Sequence, residues 1–206
     1  AVLGRQPGLK KVLVESRPEF IVDDKITHLR QVLGDKVYEV GIGLENADPR
    51  ILKYCINKGF TLQSYRNAVQ VLKNNGCQVL SYVLVKPPFL TEREALDSAI
   101  STGDYAFQCG SDAISLEPMF IERHTLVDFV YRTGYLYNES RYRPPWLWTV
   151  FEIAKTLHAR YPEKEVRIGC SEEVPRPYAA ARNCPKCTEV ADQALLSYAG
   201  SADIST

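Results

Sequence analysis

Five short runs rich in β-branched and apolar residues punctuate this chain. They are Lys11 to Glu15, Val37 to Ile42, Cys77 to Val85, Asp112 to Glu117 and Glu165 to Gly169. Between each run and the next lies a stretch long enough for a helix. Such alternation demands parallel strands, because parallel neighbours need a crossover and the crossover is right-handed. A parallel sheet places the C-terminal ends of all its strands on one rim. The residues after the strands are polar: Glu15-Ser16-Arg17, Glu45-Asn46, Lys86, Glu117 and Ser171-Glu172-Glu173. Barrels and open α/β sheets put chemistry on that rim. A full eight-stranded barrel takes about 250 residues, whereas this chain has 206. The expected fold class is therefore α/β, a partial, incomplete TIM-like (β/α) barrel of about five βα units with parallel strands.

The signals between strands support that reading. Ile21 to Leu33 carries apolar residues at helical spacing and closes at Gly34. Strand two is expected to stop at Ile42, where Gly41-Ile42-Gly43 leads into a polar corner, Leu44 to Asp48. Asp48 and Pro49 suit an N-cap and a first helical turn, and the helix Arg50 to Ile56 breaks at Asn57-Lys58-Gly59. Further helices are expected over Leu62 to Asn74, from the Thr91–Glu94 capping box to about Phe107, and over His124 to Thr133, Trp146 to Tyr161 and Glu189 to Tyr198. Residues 1–175 then form the partial barrel. Residues 176–206 form a CxxC segment and a helix packing on it.

Charge and composition exclude several classes. Acidic and basic residues number 25 each, so no global field advertises a nucleic-acid partner. No apolar run reaches the roughly 18 residues that span a membrane, and no signal peptide is recognisable. Cys55, Cys77 and Cys109 sit in apolar or element-edge settings that suit free thiols. A cytoplasmic protein is expected, with no membrane partner. Met119 is the sole methionine and the chain opens on AVLGRQ, which reads as a processed or truncated piece.

Two stretches carry chemistry of their own. Tyr135 to Trp148 interleaves Tyr137, Tyr142 and Trp146 with Arg141 and Arg143, a composition that stacks unpaired bases and holds phosphates. It equally suits a lid that packs its aromatics, the reading preferred for Trp146 and Trp148. Cys184-Pro185-Lys186-Cys187 is half a zinc knuckle, with Cys170 as third candidate ligand. A redox pair is the competing view. His28, His124 and His158 fall on helices and read as surface or packed side chains.

Several phrases are similar to the radical S-adenosylmethionine (SAM) superfamily, in its Elongator-catalytic-subunit-like and archaeosine-type branch. They are Glu15-Ser16-Arg17-Pro18-Glu19, Gly41 to Glu45, Asn57 to Thr61, Lys86-Pro87-Pro88-Phe89 and Pro144 to Trp148, in the family's order across most of residues 11–190. The resemblance implies strands three to seven of a larger barrel, belonging to an iron–sulfur oxidoreductase that modifies tRNA. It implies SAM contacts at Glu15, Arg17, Gly41, Gly43, Glu45, Lys58, Tyr82 and Glu117, while the aromatic–arginine loop offers Arg141, Tyr142 and Arg143 as contacts for a tRNA substrate. Each has a plainer alternative: a salt bridge from Glu15 to Arg17 or Lys58, a solvated loop lysine, core packing for Tyr82, a rim position for Glu117. Relatives often carry glutamine where Gly43 stands. The family's CxxxCxxC loop for a [4Fe–4S] cluster is absent from the sequence, as is the glycine-rich motif that holds the SAM amino group. The cluster would then belong to a missing N-terminal part of the same protein, the implied partner alongside tRNA. The alternative from another class is a non-catalytic, zinc-stabilised RNA-binding or partner-docking module. An unrelated metabolic barrel enzyme would want a phosphate site that the sequence does not display.

Overall fold

The strands pair in chain order. In the computed structural model, which describes residues 6, 8–134, 142–169 and 177–201, β1 (Lys11–Ser16), β2 (Val37–Glu45), β3 (Gln78–Val85), β4 (Ala113–Pro118) and β5 (Glu165–Ile168) form one parallel sheet in the order β1-β2-β3-β4-β5. Sequential parallel neighbours with right-handed crossovers send the connecting helices to one face. α1 (Asp23–Leu33), α2 (Leu62–Asn74), α3 (Glu92–Cys109), α4 (Leu126–Thr133), α5 (Leu147–Arg160) and α6 (Pro185–Ser201) complete the described elements, with a 3₁₀ turn over Pro18–Phe20 and a π-helical turn over Ile51–Ile56. The sheet is unclosed, with β1 and β5 at its edges.

Strand alternation sorts the two faces. Val40, Ile42, Val79, Val83, Ile114, Leu116 and Val166 enter one core with Tyr65, Val69, Leu72, Val150, Ile153 and Leu157 from the helices. α6 adds Ala191, Leu195 and Tyr198, whose hydroxyl donates to the Val166 carbonyl at 2.5 Å. Gly103 of α3 lets α5 approach closely, since a β-carbon there would lie 2.5 Å from Leu157 Cδ1 and 3.3 Å from Ile114 Cδ1. Gly103→Ala is therefore expected to destabilise the fold by about 1–3 kcal/mol through overpacking. Urea denaturation measures this; an unchanged midpoint would show that Leu157 swings aside at no cost.

The opposite face is mixed: Leu13, Leu80 and Leu84 share it with Glu39, Tyr82, Ser115 and Arg167. Register aligns Leu13 with Glu39, and Ser115 with Arg167. Glu39 is only 2% exposed, yet it is fully paired. Lys11 Nζ donates to its Oε1 at 2.8 Å, and Arg167 donates to both oxygens at 2.9 and 3.0 Å. Arg167 also grips Glu165 through two bonds of 2.7 Å. Burial pushes the Glu39 carboxyl up, but the Arg167 and Lys11 bonds outweigh it and hold it below the usual carboxylate range. The tie joins β2 to β5 across the two strands between them.

Several local expectations need correction. β2 does not stop at Ile42 but runs through both glycines to Glu45, because β3 goes on pairing with it past Ile42, where its pairing with β1 ends. α6 begins at Pro185, four residues before the expected start, since proline's fixed φ suits a first helical turn. Trp146 and Trp148 do not pack inward; they are 59% and 48% exposed.

Candidate functional site

The ends of β1, β2 and β3 build a charged cleft from residues far apart in sequence. A bulge between Gly43 and Glu45 offsets β2 against Tyr82 and Val83. Glu45 takes a φ of 63°, and the Asn46 N–H turns back to the Leu44 carbonyl at 2.8 Å. Its carboxylate then meets Lys58, whose Nζ donates at 2.6 Å. Lys58 is delivered by the end of the π-helical turn. Asn57 adopts the left-handed conformation, and the Lys58 N–H bonds to the Leu52 carbonyl. The Asp48 side chain supports the start of that turn by accepting the Arg50 N–H at 2.7 Å.

β1 supplies the other wall. Arg17 donates to Glu19 at 2.7 Å and to the Lys58 carbonyl at 3.0 Å, tying the strand end to the loop. Glu15 pairs with neither Arg17 nor Lys58. It accepts the Tyr82 hydroxyl at 2.7 Å. Partial burial, and then the Glu15 acceptor, push the Tyr82 hydroxyl well above the usual phenol range, so it stays a donor. Two glycines keep the floor low. A β-carbon at Gly41 would lie 2.9 Å from the Tyr82 ring, and one at Gly43 would lie 2.5 Å from Glu45 Oε1 and 2.8 Å from Lys58 Nζ.

The resulting cleft of about 420 Å³ is lined by Glu15, Ser16, Arg17, Phe20, Gly41, Gly43, Glu45, Lys58 and Tyr82. Seven of the eight expected cofactor contacts thus share one hollow. Glu117 does not line it; its carboxylate accepts Ser115 Oγ at 2.6 Å. Larger clefts of about 930 and 810 Å³ lie beside α6 and beside the π-helical turn. Size favours them, but of the three it is the strand-end cleft that is walled by strand residues, at the parallel rim where α/β folds bind ligands.

No family model matches the chain. It is 31% identical over 210 residues, 99% of its length and 57% of the relative's, to archaeosine synthase subunit beta of Methanosarcina acetivorans. It is 30% identical over 169 residues to the protein of the same name from Thermococcus kodakarensis, covering 80% of this chain and 49% of that one.

The chain is a relative of archaeosine synthase subunit beta.

It resembles the archaeosine-type, Elongator-like branch of the radical SAM superfamily, as its motifs imply, and it spans about half the length of the curated relatives it matches. The fold agrees. Elp3 of Methanocaldococcus infernus, with residues 1–46 deleted, superposes with a TM-score of 0.66 over 91% of this chain and 42% of that one, at 16% identity.

The donor set tests which groups this archaeosine-synthase-like chain can hold. Carboxylates, cations and a floor without β-carbons fit a zwitterionic nucleoside such as SAM. A [4Fe–4S] cluster does not fit, because no CxxxCxxC triad of thiolates exists in the sequence. For zinc, Cys184 and Cys187 come together but Cys170 lies outside the described residues. Among the described residues no three metal-ligating side chains converge.

The CxxC is a helix start. The Cys184 carbonyl accepts the N–H groups of Cys187 and Thr188 at 3.0 Å, and the Asn183 N–H caps back to Thr188 Oγ1 at 3.0 Å. The hydrogen bond from Cys187, then backbone N–H groups, hold the Cys184 thiol below its usual range; donating that bond pushes Cys187 up.

Of the expected substrate contacts, Arg143 is exposed and lines the 930 Å³ cleft with Trp146. Arg141 lies outside the described residues. Tyr142 departs from expectation. It is 2% exposed, donates its hydroxyl to the Lys86 carbonyl at 2.6 Å and packs with Ile121 and Val130, so its ring has no face for a base. Sequence reasoning missed Glu92, whose carboxylate takes Lys86 at 2.6 Å, the Trp146 N–H at 2.8 Å and Thr149 at 2.6 Å. Its place inside the capping-box run reads as a simple helix start and conceals its long-range partners.

Proposed function

We propose that this chain is the part of a radical SAM enzyme that binds SAM and orients it toward a tRNA base during modification. The observation that carries the reading is the gathering of Glu15, Arg17, Glu45, Lys58 and Tyr82 around Gly41 and Gly43 in one rim cleft. Glu15, whose described partner is a neutral hydroxyl, is the carboxylate for ribose hydroxyls or an ammonium. Lys58, a compact cation, meets the cofactor's carboxylate by loosening from Glu45. Gly41 and Gly43 let backbone stand against the ligand. SAM, when bound, supplies the reactive sulfonium; these residues supply binding and orientation. Arg143, with Arg141, is the phosphate contact for tRNA. The partner that completes the enzyme is the cluster-holding remainder of the same protein, working in the cytoplasm.

Calorimetric titration of the 206-residue chain with SAM tests the reading. Glu15→Gln and Lys58→Ala are each expected to weaken binding about tenfold, the loss of one charge-assisted contact, while leaving RNA retention intact. Retention of RNA and one zinc per chain, without SAM affinity, would instead establish the non-catalytic module.

A further inference from the structure

We propose that Cys184 and Cys187 form a thiol–disulfide exchange site for small disulfides that carry carboxylates, of the glutathione disulfide class. No atom of the rim cleft takes part, so this inference stands or falls apart from the cofactor reading.

The two cysteines stand three apart at the start of a 17-residue helix, neighbours on one turn. The Cys184 carbonyl accepts the Cys187 and Thr188 N–H groups at 3.0 Å, which fixes the two cysteines on the same first turn. Cys184 is exposed and Cys187 half-buried behind it, whereas Cys77 is buried and Cys55 and Cys109 are half-buried. An accessible attacking sulfur with a sheltered resolving one is the division of labour that dithiol exchange requires. Pro185 between them pre-sets the turn. The sulfur also opens onto a room: Cys184 lines the 930 Å³ cleft together with Arg143, Arg182, Trp146, Glu189 and Asp192. Arginines meet the carboxylates of such a disulfide and the acidic pair meets its ammonium groups.

The step balances without a further oxidant. Cys184 Sγ attacks one sulfur of the disulfide, forming a mixed disulfide and expelling one small thiolate. Cys187 Sγ then attacks Cys184 Sγ, closing the internal S–S bond and expelling the second. The two cysteine protons pass to the departing thiolates. The dithiol is oxidised and the disulfide reduced to two thiols.

The test equilibrates the reduced, chelator-treated 206-residue chain with glutathione buffers of rising disulfide fraction, then alkylates under denaturing conditions and maps by mass spectrometry. Cys184 and Cys187 are expected to lose alkylation together and gain an internal disulfide while Cys77 stays alkylated. Cys187→Ser should trap glutathione on Cys184 at least tenfold faster than Cys184→Ser traps it on Cys187. Replacing Arg143 and Arg182 with alanine should slow exchange several-fold with glutathione disulfide but not with uncharged hydroxyethyl disulfide. A pair that stays reduced overturns the proposal, with no variant needed. So do equal trapping rates in the two serine variants, or a bound zinc whose loss accompanies either substitution. An arginine effect shared by both disulfides overturns the assigned ligand class.

Discussion

Replacing Arg167 with alanine is expected to cost about 3 kcal/mol of folding stability at neutral pH, near the low end of what breaking a buried ion pair costs. Glu39 is almost wholly buried and receives two of its three described bonds from Arg167. Without the guanidinium, Lys11 still serves one oxygen, but the other is buried without a donor. The loss should depend on pH with a definite sign. In the wild type the folded-state pKa of Glu39 is depressed, so its contribution is fully present above the unfolded value near pH 4.3 and fades as pH falls through the folded value. In the variant, burial without Arg167 raises the folded pKa, and protonation relieves the penalty. The difference between the two proteins should therefore be largest at neutral pH and shrink toward pH 4. Urea denaturation at a series of pH values measures it. A difference that is flat with pH would mean that Arg167 acts through packing and Glu165, not through the Glu39 charge.

The second large effect concerns binding. Gly43→Val should abolish most SAM affinity, about 100-fold or 2.7 kcal/mol, while changing stability by less than about 1 kcal/mol. Its β-carbon would enter the space occupied by Glu45 Oε1 and Lys58 Nζ, and the branched methyls would fill the floor of the cleft. Gly43 lies in β2 without a left-handed φ, so valine suits the backbone and the damage is confined to the hollow. Calorimetry and thermal denaturation on the same sample separate the two quantities. Unchanged affinity in a stable variant would move the ligand away from this cleft and remove the support for the proposed function.

How far the sequence anticipates this site depends on which forces are local. α2 spans Leu62–Asn74 as its pattern implies, and Thr91 with Glu94 forms the reciprocal cap that their spacing announces. Both rest on contacts within four residues. Gly41 and Gly43 mislead for the opposite reason: glycine weakens a strand by itself, and pairing with β3 carries β2 past Ile42, where β1 stops, to Glu45. The left-handed Glu45 has no sequence signal at all, because its carboxylate is held by Lys58, thirteen residues on. The Glu15–Tyr82 bond spans 67 residues; the resemblance to known enzymes placed both near a cofactor, and residue chemistry alone would have left Tyr82 in the core. Tyr142 shows the reverse error. Its neighbours Arg141 and Arg143 suggest an open stacking surface, but a carbonyl 56 residues away claims the hydroxyl.

The polar tie on the open face also bears on how the chain comes apart. Glu39 and Arg167 are 128 residues apart in sequence, so their bond is expected to close late, after the strands between them have paired. A contact made that late is absent from the folding barrier and is broken on the way out of the native state. Its energy therefore slows escape far more than it hastens arrival. The same two side chains that neutralise a buried charge act as a lifetime device, setting how long the open sheet persists once it has been assembled.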